Sequence, residues 1–254
     1  MIYIAAQKAF TPPKPEGYRP IHVGAARKKS IGLYRDDTGD HISKKYRNYR
    51  ELTGLYWVWK NSAVPYKGFV PQGRYFGKRN LSKKMEDVYA HPELEVLLQE
   101  ADMVLPCPEI FKQSAREELL SGSCTEDVFE KLRLTVENLY PDYIPAFDRF
   151  FSRNQCSTSN MLFCRAELFD GYCRWLFDIL FSLEGIVNLR TLNRRQQPIF
   201  AVLSEMMLNV YVAHHSLKCR CLPVVVSDIS FKEKFTHSRR RFTNRIAFAL
   251  RRKN

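Results

Sequence analysis

The stretch YRNYRELTGLYWVWKN (residues 46–61) decides how the chain is organised. Leu52, Leu55, Tyr56 and Trp59 recur at i, i+3, i+4 and i+7, the apolar stripe of a helix laid on a core. Asn48, followed three places later by Glu51, has capping-box spacing, so the helix is expected over about residues 49–61. Trp57, Lys60 and Asn61 lie off the stripe, where an indole can stack on a sugar or a base. One face of this helix reads as core and the other as the wall of a cleft.

Strand candidates flank it on both sides. IYIAA (2–6) reads as a short buried strand, followed by the Pro-rich TPPKPEGYRP (11–20) and by IHVGAA (21–26), a second short strand or a loop. Further strands are expected at 68–70, in ADMVLP (101–106), in NMLFCR (160–165) and in LPVVVSD (222–228). Helices are expected over 125–137, 141–151, 167–186 and 198–212, the second entered through Pro141 and the last starting at Pro198. Strands alternating with helices predict an α/β fold with a mainly parallel central sheet and flanking helices.

With 254 residues, 45% of them apolar, the chain can bury a sizeable core. Seven cysteines, an odd count without framework spacing, point to reduced thiols in a cytoplasmic setting. The opening MIYIAAQKAF is too short in its apolar run for a signal peptide, and WLFDILFSLEGIV (175–187) carries Asp178 and Glu184 and falls short of a membrane span. The net charge of +13 is concentrated in FKEKFTHSRRRFTNRIAFALRRKN (231–254), which holds nine Lys and Arg against one Glu. The expected division is a globular domain over 1–230 and a basic amphipathic tail over 231–254.

Seven blocks, IYIAAQK, PIHVGA, RDDTGDHIS, YRELTGLYWVWKN, GFVPQGRYF, SNMLF and the run around LSE, fall in the order of one family. Over about residues 1–228 the chain resembles bacterial galactofuranosyltransferases of capsule and O-antigen assembly, long catalogued as a domain of unknown function. ELTGLYWVWKN is the most specific of these blocks. The resemblance implies a GT-A-like nucleotide-sugar-binding fold and inverting transfer of galactofuranose from UDP-galactofuranose to a lipid-linked glycan. Departures fall on polar positions: Gln7 stands for a His, His41 for an Asn, and Pro71-Gln72-Gly73 for His-Tyr-Arg. Pro198, Ala201 and Met206 depart too. The alternative reading is a catalytically impaired relative that binds sugar nucleotide or partner enzymes without turnover.

A sugar-nucleotide transferase must hold a diphosphate, stabilise its charge as the glycosidic bond breaks, and deprotonate an acceptor hydroxyl. Many GT-A enzymes use a divalent metal on Asp-x-Asp at a strand end; here that strand end is PQGRYF, without a carboxylate. A metal-independent site is therefore favoured, with Mn²⁺ or Mg²⁺ the alternative, and no cofactor is expected. Arg74 is the leading cation for the diphosphate, with Lys8 second and Tyr75 beside it in the retained part of the block. Asp36, Asp37 and Asp40 form the dense carboxylate cluster, suited to a ribose hydroxyl or a cation, or to Asx-turn chemistry in DDTGD. Glu51, Trp57, Lys60, Asn61, Asn160 and Met161 complete the donor-binding set, and Glu205, an isolated carboxylate in an apolar run, is the expected general base.

HHSLKCRC (214–221) fits no common zinc-finger spacing. In the tail, Phe235, Phe242, Ile246 and Ala249 share a helical face among arginines, a pattern for an anionic membrane surface rather than for nucleic acid. The expected location is cytoplasmic, peripheral at the inner face of the cytoplasmic membrane.

Overall fold

A computed structural model describes residues 1–79, 82, 84–227 and 244, so the expectation for the basic tail lies outside the described residues apart from Asn244. The chain opens with β1 Ile2–Ala6, β2 Tyr18–His22 and the two-residue β3 Tyr34–Arg35. Helices α1 Tyr46–Tyr49 and α2 Leu52–Asn61 precede β4 Tyr66–Pro71 and β5 Arg74–Phe76. Helix α3 His91–Leu97 leads to β6 Met103–Pro106 and β7 Glu109–Ile110. Three helices follow, α4 Ala115–Leu120, α5 Glu126–Leu139 and α6 Ile144–Phe151, then β8 Gln155–Cys156 and β9 Leu162–Arg165. The long α7 Ala166–Ile186 and α8 Ile199–His214 come next, and β10 Cys219–Leu222 and β11 Val224–Val226 close the described run.

Two expected elements are divided. Arg50 takes φ 47°, a left-handed conformation that an α-helix does not continue through, so the helix expected over 49–61 is α1 and α2. In LPVVVSD, Pro223 lacks the N–H that a ladder needs, and the run splits between β10 and β11 in different sheets. The expected Asn48–Glu51 box does not cap a helix: Asn48 lies within α1, and Glu51, at the head of α2, makes no side-chain cap hydrogen bond. Other local signals hold. Ser114 and Glu117 form a capping box on α4, Thr125 caps α5 by accepting from the Val128 N–H, and Pro198 stands as the residue before α8.

The described residues fall into two compact units. The first takes Met1–Cys107, Ser159–Arg174 and residues 217–227; the second takes Pro108–Thr158, Trp175–Ser216 and Asn244. The first is built on a seven-stranded sheet in the order β10-β6-β9-β4-β1-β2-β3. All its neighbours pair in parallel except β9, which runs antiparallel to both β4 and β6. Strands covered on both faces read as continuous apolar runs, and IYIAA is buried along its whole length.

The alternation of β1 assigns its two faces. Ile2 and Ile4 join Val70, Phe76, Val104, Phe163 and Val225 in a core that also takes Leu94 and Leu98. Tyr3 faces the other way, sharing a hydrogen bond with Ser62 Oγ (2.9 Å) and meeting Trp57 edge-on. Helix α2 lies close to the sheet because of Gly54: a Cβ there would stand 2.6 Å from Val23 Cγ1 and 3.4 Å from the Phe69 ring. Lys67 of β4 is buried and reaches Asp170 of α7 at 2.6 Å, beside the Phe169 ring.

In the second unit α6 packs on α8, and Phe129, Phe147, Phe150 and Phe151 form a ring cluster with centroid spacings of 4.5–5.8 Å. The short ladder β7–β8 belongs to this unit. Among the described residues no helix is long and apolar enough to cross a membrane.

Candidate active site

Strand register brings several of the expected site residues to one edge of the first unit. Ala6 pairs with His22 and Ala5 with Pro71, so β1, β2 and β4 end together. Because β9 is antiparallel and Leu162 pairs with Phe69, the residues leading into β9 arrive at that same edge. Lys8, Gly24, Gln72 and Asn160 thus belong to the carboxyl ends of the parallel strands, where open α/β sheets bind ligands. Gln72 ties the rim together: its N–H donates to Ala5 O (3.1 Å) and its Oε1 accepts from the Gln7 N–H (3.3 Å).

The three aspartates of DDTGD do three different things. Asp36 is fully buried and accepts from the N–H groups of Gly24 (2.7 Å) and Ala25 (2.9 Å) and from the hydroxyls of Ser43 and Thr53 (2.5 Å each). It therefore holds the turn after β2 against the start of α2. Asp37 accepts both prongs of the Arg35 guanidinium (2.9 and 2.7 Å), which keeps its carboxyl below the usual carboxylate range. Asp40 is exposed and accepts from the Tyr56 hydroxyl at 3.0 Å. Among the described residues, no three of His, Cys, Asp and Glu converge where they could hold a metal ion.

The polar side of α2 latches this turn. Asn61 Nδ2 donates to Asp40 O (2.8 Å) while its Oδ1 accepts from the Asp40 N–H (3.2 Å), and the Trp57 indole N–H donates to Thr38 O (2.9 Å). Trp57 is half-buried, and Lys60 lays its ammonium 3.7 Å from the centre of the Trp59 ring. Lys8 and Arg74 are exposed. Tyr75 and Met161 turn inward: both are buried in the core, with the Tyr75 ring edge-on to Tyr18.

Glu51 and Asn160 meet at this edge. Asn160 is buried and donates from Nδ2 to Glu51 Oε1 at 2.8 Å. Burial raises the Glu51 carboxyl, against the opposing pull of the Asn160 hydrogen bond and of Arg50. Asn160 is itself left-handed (φ 48°), and a left-handed residue precedes each member of the pair: Arg50 (φ 47°) before Glu51 and Ser159 (φ 75°) before Asn160. Such positions cost roughly 1–3 kcal/mol each, asparagine least, and cluster at functional sites. Arg74 stands beside them, its NH1 3.5 Å from Ser159 Oγ.

Residues 1–216 match the model of a family described as a domain of unknown function, DUF4422. The chain belongs to the DUF4422 family. Among solved structures, this DUF4422 chain is similar to the apo structure of WbbM, a bifunctional glycosyltransferase, with a TM-score of 0.81 and 26% identity. The likeness covers 90% of this chain and 45% of that one, so the chain spans less than half the length of its structural relative. A comparison with curated proteins finds no match. The expected architecture is present: this DUF4422 member has a GT-A-like α/β fold with a mostly parallel central sheet and flanking helices.

Sequence reasoning missed three features of this candidate site. His22 ends β2 fully buried, and its Nδ1 has no hydrogen-bond partner among the described residues. Burial first, then Lys28 and Arg35, lower its pKa, against Asp36 and Asp37, which favours the neutral imidazole. Thr53 serves Asp36, and Asn160 finds Glu51 at a separation of 109 positions, a pairing that no local spacing signals. Glu205 stands on α8 of the second unit, half-buried, its carbonyl oxygen accepting from Asn209 Nδ2 (2.8 Å). His214 and His215 both engage Tyr143, one stacked at 3.5 Å and the other at 2.7 Å from the phenol oxygen.

Proposed function

We propose that the chain is a glycosyltransferase that moves a hexose from a UDP-sugar to an acceptor hydroxyl. The observation that carries this reading is the gathering of Lys8, Arg74 and the Glu51–Asn160 pair at the carboxyl ends of β1, β2 and β4, in a fold similar to that of WbbM. The donor is UDP-galactofuranose, transfer inverts the anomeric centre, and the acceptor is a lipid-linked surface glycan; the resemblance of the sequence blocks supports all three.

In an inverting displacement the acceptor oxygen bonds to the anomeric carbon as the bond to the diphosphate oxygen breaks. Negative charge grows on the departing diphosphate, and positioned cations stabilise it. Arg74 and Lys8 take that role without a metal. Trp57 offers its ring to the sugar or base, while Asn61 and Asp40 fix the turn beside it. The basic segment 231–254 brings the protein to an anionic membrane surface, at the inner face of the cytoplasmic membrane, where a lipid-linked acceptor resides.

A second reading, sugar-nucleotide binding without turnover, draws on Pro71-Gln72-Gly73 standing where the resembling enzymes carry His-Tyr-Arg. Calorimetric titration with UDP and an assay of UDP-galactofuranose hydrolysis separate the two. Binding with release of the sugar supports the transferase; binding without release selects the second reading, and no binding removes both.

A further inference from the structure

We infer that Glu51 is the carboxylate that takes the acceptor's proton, with Asn160 as its positioning residue. The assignment rests on the transferase reading and goes beyond it by naming a base within the unit that carries Lys8 and Arg74.

Four observations converge on Glu51. It heads α2 directly after Arg50, whose left-handed backbone ends α1 and turns the chain so that α2 starts anew. Its Oε1 accepts from Asn160 Nδ2 at 2.8 Å, and Asn160 is itself buried and left-handed, following a left-handed Ser159. The Asn–Glu contact across 109 positions orients the carboxylate, because the amide that donates to it is buried. The contact lies at the edge where the parallel strands end, with Arg74 against Ser159. The charged and titratable groups facing Glu51 are Arg50 and the Tyr46 phenol, with Asn160 the neutral donor.

The chemistry follows from that placement. The acceptor hydroxyl's oxygen forms the new bond to the anomeric carbon, the carbon–diphosphate bond breaks, and its electron pair leaves on UDP. The hydroxyl proton passes to the Glu51 carboxylate and is later lost to water. A base held in a poorly solvated position binds a proton more readily than an exposed glutamate, which suits proton acceptance near neutral pH. Asn160 donates to the charged form and so moderates that effect. Removing the amide must therefore raise the pH at which Glu51 ionises.

The test is steady-state hydrolysis and transfer from UDP-galactofuranose across pH, with UDP affinity measured by calorimetry on each protein. Glu51→Gln should keep UDP affinity within about threefold while turnover falls about 100-fold or more. Asn160→Ala should move the acid limb of the kcat/KM profile to higher pH, with the rate recovering as pH rises; a merely structural Asn160 would lower the rate at every pH without moving the limb. Glu51→Asp supplies a milder variant if Glu51→Gln fails to fold, and should retain the limb with reduced turnover. Undiminished turnover in Glu51→Gln, or a loss seen in Glu205→Gln in its place, overturns the assignment while leaving the transferase reading intact. A wild-type protein that binds UDP but releases no sugar overturns both.

Discussion

The ammonium of Lys67 lies 2.6 Å from the carboxylate of Asp170, and only the carboxylate side of the pair reaches solvent. A buried lysine is tolerated because a partner neutralises it, so the two halves of the pair are not equivalent. Asp170→Ala strands a buried charge and should destabilise by about 2–4 kcal/mol, reduced from the fully buried case by the exposure of Asp170. Lys67→Met removes the charge and keeps the volume, and should cost less than half as much. Urea unfolding of both variants checks the order; equal losses would mean that packing, not charge, dominates.

Gly54 sits inside a helix, where alanine is ordinarily preferred by about 1 kcal/mol. Here the added Cβ would stand 2.6 Å from Val23 Cγ1, with the Phe69 ring behind it. Overpacking should win, and Gly54→Ala should lower stability by about 1–3 kcal/mol. A variant as stable as the wild type would show that α2 can slide on the sheet.

Arg74 is exposed and close to Ser159, free to close on a diphosphate. Arg74→Ala should weaken UDP binding by about 1.5–3 kcal/mol, the range of charge-assisted hydrogen bonds, without altering the circular dichroism spectrum. An unchanged dissociation constant would make this guanidinium a surface charge.

Metal dependence separates two chemistries for the leaving group. If Arg74 and Lys8 hold the diphosphate, UDP affinity should be the same in EDTA and in Mn²⁺ to within about threefold, under 0.7 kcal/mol. A tenfold loss on chelation would return attention to Asp40, the exposed carboxylate of its turn.

The basic segment carries nine Lys and Arg, each contributing about 1 kcal/mol near an anionic surface before screening. A chain ending at Ser230 should keep UDP binding but no longer sediment with anionic vesicles, and full-length binding should fall steeply with salt. Equal sedimentation of both proteins would remove the membrane role. A salt-sensitive shift of duplex DNA by the full-length chain alone would favour nucleic acid instead.

Much of the fold was legible because its signals are local. IYIAA reads as a strand covered on both faces, and Leu52, Leu55 and Tyr56 mark the buried face of α2. The break at Arg50 was not legible, since no feature of an arginine announces a left-handed backbone; tertiary contacts impose it. The same limit applies to the carboxylates. DDTGD advertised a cluster, yet the burial of Asp36 among Gly24, Ala25, Ser43 and Thr53 depends on partners 7 to 17 positions away. Glu51 resembled a helix cap in sequence, and Asn160, the partner that gives it a different meaning, arrives only through the antiparallel insertion of β9.

That insertion also dictates an order of assembly. β9 is the strand between β4 and β6, yet it is made after β7, β8 and three helices of the other unit. During synthesis from the amino terminus, β6 has no neighbour on the β4 side until Arg165 has emerged, and its other neighbour, β10, comes later still. The central sheet is therefore a late, non-local closure, of the kind that slows folding. A nascent chain halted before Leu162 carries one sheet fragment, β4-β1-β2-β3, with an open β4 edge, and a β6 with neither of its neighbours, and it is at this stage that chaperone capture or edge-to-edge aggregation should concentrate.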